Sequence, residues 1–128
     1  DVYKRQETGH EVRALDILGA LGVEGLVLIV FIPTAGTRYA DHQPPEIREV
    51  AEILVEARLR FPDKPLYLGC MRPRGRYRSE LDPLAVRAGV NTIVNPAGEA
   101  VRLAEQLGLH IVWGRECCVL KRDRAAFE

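Results

Sequence analysis

Four arginines, Arg72, Arg74, Arg76 and Arg78, crowd into the residues directly after the apolar run Leu66-Tyr67-Leu68-Gly69-Cys70. A guanidinium forks onto a carboxylate or phosphate through two parallel hydrogen bonds, so two or three of them converging would hold an anionic ligand in one orientation. Within the same stretch Gly75 is open to backbone conformations closed to other residues, Pro73 removes a donor and stiffens the chain, and Met71 lies at the junction of strand and loop. The loop therefore reads as a rigid anion cradle. A solvated basic loop is the plainer account of any single arginine, but it fits less well a cluster at the carboxyl end of a strand, where α/β proteins build sites.

Two other strand ends offer polar groups. Thr34, Gly36 and Thr37 follow a long apolar run and sit in a loop, 33–44, longer than such turns usually are, which is a mark of function. Asn95 follows a third, shorter run. The remaining chemistry-bearing residues have structural readings. Cys117 and Cys118 are adjacent, which strains both chelation of one metal and an intramolecular disulfide, and Val119-Leu120 follow as if the segment packs. Cys70 divides between core filler and site residue. His42 has no identified partner and reads as a solvated imidazole before a general base. His10 and His110 read as structural, and Trp113 as core.

The elements that must position these residues alternate along the chain. Val12, Leu15, Leu18 and Leu21 recur at helical spacing over 11–21, with Gly22 as a stop. Residues 26–32 are apolar on both faces, which predicts a parallel strand covered by helices and ended by Pro33. A helix over 45–60, opened by Pro45, places Ile47, Val50, Ala51, Leu54 and Ala57 on one stripe. A strand over 66–70 leads into the arginine loop. Ser79 and Asp82 resemble a capping box opening a third helix, whose Leu81, Leu84, Ala85 and Ala88 face inward. A brief strand over 91–94 ends at Asn95-Pro96, read as N-cap and first helical residue of a fourth helix, and residues 109–113 predict a last strand. This rhythm is α/β and admits two architectures, a piece of a (β/α) barrel or an open doubly wound sheet. Both bring the ends after 32, 70 and 94 to one rim.

Composition limits the functions. The chain has 128 residues, 47% of them hydrophobic, with 18 acidic against 18 basic side chains and no net charge. A neutral whole lacks the basic excess that general binding to nucleic acid or to an anionic membrane needs. The longest apolar run is far shorter than the roughly 20 residues of a spanning helix. Three cysteines, an odd number, suggest no disulfide framework, so a cytoplasmic location is expected. Residues 1–6, Asp1-Val2-Tyr3-Lys4-Arg5-Gln6, match the translation of a transposase sequencing adapter and are set apart from 7–128. Helical pattern begins almost at once after Glu7, as expected of a reading frame that enters mid-domain.

One resemblance spans roughly 30–109. Gly36-Thr37 with Ala40-Asp41 after a strand, Ala57-Arg58 in a helix, a strand leading to an arginine-bearing loop, Ala88-Gly89-Val90-Asn91-Thr92-Ile93, and Leu107-Gly108-Leu109 resemble, in order and spacing, the biotin-synthase-like branch of the radical S-adenosylmethionine superfamily. More closely, Gly69-Cys70-Met71-Arg72-Pro73-Arg74-Gly75 resembles the signature of an uncharacterised, largely prokaryotic group of biotin synthase homologues. The resemblance implies the C-terminal part of a TIM-type (β/α) barrel, with the CxxxCxxC loop that holds a [4Fe-4S] cluster, and the first strands, lying upstream of this chain. It further implies an electron donor for the cluster, S-adenosylmethionine on its open iron, and a 5'-deoxyadenosyl radical acting on a small substrate. The fragment alone is then inactive. Arg74 falls near the family's arginine contact to an auxiliary [2Fe-2S] cluster, with Arg72 as the alternative, but Cys70-Met71-Arg72-Pro73 departs from the biotin synthase pattern. An arginine pair gripping a substrate carboxylate or phosphate, aided by Thr34 and Thr37, fits better than sulfur insertion. The expected site residues are therefore Arg72, Arg74, Cys70, Met71, Thr34, Gly36, Thr37 and Asn95. A small open-sheet module binding an anionic metabolite or nucleotide through Arg72, Arg74 and Arg76 is the alternative.

Overall fold

The computed structural model describes residues 9–116. The adapter-like residues 1–6 and the pair Cys117-Cys118 lie outside the described residues. Seven elements alternate: α1 (His10–Ala20), β1 (Leu26–Leu28), α2 (Ile47–Arg60), β2 (Leu66–Leu68), α3 (Arg76–Arg87), β3 (Thr92–Ile93) and α4 (Gly98–Gln106). The strands form one parallel sheet in chain order, β1-β2-β3, with Leu26 beside Leu66 and Leu68 beside Ile93. The α/β reading holds.

Side-chain alternation along the strands decides which face is covered. Leu15 of α1 and Ala57 of α2, with Phe61, pack on Leu26 and Leu66. Leu54 of α2, with Leu81 and Ala85 of α3, packs on Val30 and Leu68. Ile93 and Leu28 join this same side, so α1, α2 and α3 lie on one face of the sheet. The other face is open: Val27, Ile29 and Phe31 are 42%, 65% and 40% exposed. This corrects the expectation that the first strand is covered on both sides. Gly69 belongs to the open face, where a Cβ would come within 2.9 Å of Ile29 Cγ2 and 3.2 Å of Val27 Cγ1. Its missing side chain lets the branched residues of the neighbouring β1 segment close over it.

Several boundaries differ from their sequence expectations, each for a local reason. The β1 ladder ends at Leu28, although the chain stays alongside its neighbour, with Gly69 N–H donating to Leu28 O at 2.8 Å and Val30 N–H to Met71 O at 2.7 Å. Helix α2 starts at Ile47, two residues late, because Glu46 is extended at φ −60°, ψ 136°, and the Pro45 carbonyl before it accepts from the Tyr77 hydroxyl at 2.7 Å. Helix α3 starts three residues before Ser79. Gly75 caps it at φ 63°, ψ −133°, a conformation closed to residues with a Cβ, so Ser79 and Asp82 lie inside the helix and form no capping box. Leu84, expected inward, is 38% exposed. Asn95 is no N-cap: it sits at φ 49°, and α4 begins only at Gly98. Residues 109–113 join no sheet, and Trp113, expected in the core, is 66% exposed. The two-residue β3 offers little edge for a fourth strand to pair with.

Opposite the arginine loop, the amino ends of the strands are held by Arg58. Its guanidinium donates to the carbonyls of Phe61, Pro62, Lys64 and Gly89 and to Asn91 Oδ1, which also accepts the Leu66 N–H at 2.9 Å. One cation thus ties the end of α2, the start of β2 and the approach to β3.

Candidate functional site

The carboxyl ends of β1, β2 and β3 lie side by side in a parallel sheet, so the loops that follow them share one rim. Asn95 and the arginine loop meet there. The Asn95 carbonyl accepts from Arg72 Nη2 at 3.3 Å and from Arg78 Nη1 at 3.5 Å. The loop after β1 reaches the same rim through Pro45 and Tyr77.

Arg72 does not face a ligand. Its side chain is 0% exposed and forks onto Asp82, Nε to Oδ1 at 2.8 Å and Nη2 to Oδ2 at 2.7 Å, while Nη1 donates to Gly69 O at 2.7 Å. Asp82, equally buried, accepts in addition the Ala97 N–H at 2.9 Å. With four hydrogen bonds made inside the protein, the Arg72 guanidinium cannot also grip a substrate, which corrects its expected role. The pair instead binds the loop after β2 to the middle of α3 and to the start of α4. Burial of two opposite charges is tolerated because both are paired and hydrogen-bonded.

Arg74 is exposed and, among the described residues, pairs with no carboxylate. Arg76 is paired with Glu80 at 2.6 Å, and that bond raises its pKa. Arg78, which the sequence reading left out of the site, is half-buried and fixed by carbonyls: Nη2 donates to Cys70 O at 3.3 Å and Arg72 O at 3.1 Å. Its Nε is buried without a partner. Burial lowers the Arg78 pKa, and Arg72 and then Arg74 lower it further, with Asp82 and Cys70 opposing. The guanidinium is thus a fixed cation held close to two others.

The other expected residues are less directly placed. Cys70 is exposed rather than core, and Met71 is 53% exposed with its carbonyl tied to Val30. Thr34 and Thr37 are exposed and turn their hydroxyls to their own loop, onto Ile32 O at 3.0 Å and Thr34 O at 2.6 Å. Gly36, at φ 79°, serves the turn between them. His42 is half-buried: its Nδ1 has no partner and its ring lies 5.3 Å from that of Tyr39, which meets Phe31 edge-on. His10 and His110 are exposed.

Asp82 is the residue whose role sequence reasoning missed. The available signal was its place beside Leu81 and before Ala85 on the inward stripe of α3, where a carboxylate needs a cation. Among the described residues no group of three or more His, Cys, Asp or Glu is arranged to hold a metal ion, and Cys70 is the one thiol. These residues therefore do not supply the ligand set of a [4Fe-4S] cluster. No helix among them is long and apolar enough to cross a membrane. Comparison with protein-family models, with curated proteins and with solved structures returns no match to this chain.

Proposed function

We propose that the chain is the C-terminal part of a (β/α)-barrel enzyme of the radical S-adenosylmethionine type, acting on a small anionic substrate held at the rim. What supports the barrel is the winding: strands in chain order, α1, α2 and α3 packed on one side, and an open face of Val27, Ile29 and Phe31. A barrel has such an arrangement, its inner face being the one the helices leave uncovered.

In this reading the cluster ligands belong to sequence preceding this chain, and the cluster, once reduced, supplies the radical chemistry. The residues present serve the substrate. Arg74 offers a free guanidinium, Arg78 a fixed positive charge, and the Arg72–Asp82 pair holds the loop that carries both. The substrate's charge is thereby fixed at one side of the barrel mouth.

A second reading, a binding module for an anionic metabolite or nucleotide without radical chemistry, is favoured by one observation: among the described residues the rim carries two arginines, Arg74 and Arg78, with no carboxylate of their own. Recovery of the full-length gene separates the two. Anaerobic reconstitution with iron and sulfide, followed by S-adenosylmethionine and reductant, is expected to yield 5'-deoxyadenosine. A full-length product that binds no cluster and forms none would leave the module as the better account.

A further inference from the structure

We infer that the rim takes a dianionic oxyanion of the phosphate or sulfate type, seated between Arg74, Arg78 and the first turn of α3. This rests on the reading of the rim as an anion site and goes beyond it by fixing the ligand's charge. The charges leave a definite remainder. Arg72 is cancelled by Asp82, and Arg76 is paired with Glu80. Arg74 has no carboxylate partner among the described residues, and the carboxylate acting on Arg78 is Asp82, already bound to Arg72. Two positive charges remain on one loop and the helix that follows it. Burial, and after it the neighbouring Arg72 and Arg74, make Arg78 a weaker base than an ordinary arginine.

Donors are arranged to match. Helix α3 opens on Gly75 with no side-chain cap and no acidic residue in its first turn. The N–H groups of Arg76, Tyr77 and Arg78 have no acceptor among the described residues, the first internal bond being Ser79 N–H to Gly75 O at 3.1 Å. A carboxylate has two oxygens and one charge, so on this rim it would leave one guanidinium without a counter-ion. An oxyanion with three free oxygens and two charges satisfies the Arg74 fork, the field of Arg78 and the helix N–H groups together.

The test is a titration of the 15N-labelled chain at pH 8 and constant ionic strength. Inorganic phosphate serves as the dianion, and methanesulfonate as a monoanion with the same three-oxygen face. Phosphate is expected to move the amide signals of Arg76, Tyr77 and Arg78 and to bind at least about tenfold more tightly than methanesulfonate, the worth of one charge-assisted hydrogen bond. Arg74→Gln, an exposed substitution, is expected to weaken phosphate by a similar factor, and Arg74→Lys to restore part of it. Equal affinities for the two anions would overturn the dianion while leaving an anion site. Silence of these amides to both anions would overturn the anion site as well. Phosphate binding indifferent to Arg74→Gln would remove Arg74 from it. None of these outcomes bears on whether the full-length protein forms 5'-deoxyadenosine.

Discussion

Replacing Arg72 by methionine keeps much of the side chain's length and removes all four of its hydrogen bonds. Asp82 would then be a wholly buried carboxylate with one remaining donor, the Ala97 N–H, and the Gly69 carbonyl would lose its side-chain partner. Breaking a buried, hydrogen-bonded ion pair from one side costs about 3–5 kcal/mol, because the surviving charge has neither water nor counter-ion. At about 3–5 °C per kcal/mol for a domain of this size, the midpoint of thermal unfolding should fall by about 10–20 °C. Arg72→Met/Asp82→Leu removes both charges and should recover to within about 1–2 kcal/mol of the parent, since an apolar replacement of both partners is often neutral. Urea unfolding followed by circular dichroism measures all three chains plus Asp82→Leu, closing a double-mutant cycle. A single substitution costing less than about 1 kcal/mol, or a double variant no better than Arg72→Met, would refute the argument that this pair is a desolvated, mutually dependent unit.

Other outcomes follow from positions described above. Gly75→Ala should cost about 1–3 kcal/mol in urea unfolding, because φ 63° with ψ −133° is closed to alanine. At Asn95, φ 49°, glycine should be tolerated and valine should cost about 1–2 kcal/mol in the same assay. Tyr77→Phe should lose about 1 kcal/mol with the bond to Pro45 O. Burial, then Glu46 and Glu49, raise the Tyr77 pKa, so its contribution is complete below the ordinary tyrosine value of about 10 and is lost as pH rises through the higher folded value. Stability of the parent should therefore fall more steeply than that of Tyr77→Phe above about pH 10. Arg58→Lys keeps the charge but not the fork that reaches four carbonyls and Asn91, and should cost about 1–3 kcal/mol by chemical denaturation.

The sequence made the alternation of helix and strand legible because it is written in periodicity. Leu54, Ala57, Leu81 and Ala85 lie on inward stripes at helical spacing, and all four are buried. It made the position of the arginine loop at the carboxyl end of β2 legible too, since the apolar run stops where the arginines begin. Which arginine does what was not legible. Arg72 and Arg74 look alike in a string of residues, and only the inward position of Asp82, set by the winding of α3, separates the committed guanidinium from the free one. The helix starts were misplaced for the same reason: Gly75 and Asn95 take left-handed backbone conformations imposed by how the loops return to the sheet, and no local rule announces those. Nor does an all-apolar run such as 26–32 reveal whether one or both of its faces is covered within the same chain.

The chain-order winding also bears on how the protein acquires its structure. Each strand pairs with the next in sequence, and each helix packs mainly on its neighbours in sequence. Each pairing closes one helix-bearing crossover, 29–65 and then 69–91, so the structure can grow by adding one helix-and-strand unit at a time onto a β1-β2 nucleus. Among the described residues β2 is held from both sides, and β1 and β3 from one. Amide protection should accordingly peak at β2, between its two neighbours, and decline outward towards α1 and α4, so that the rim is built on the most slowly opening part of the fold.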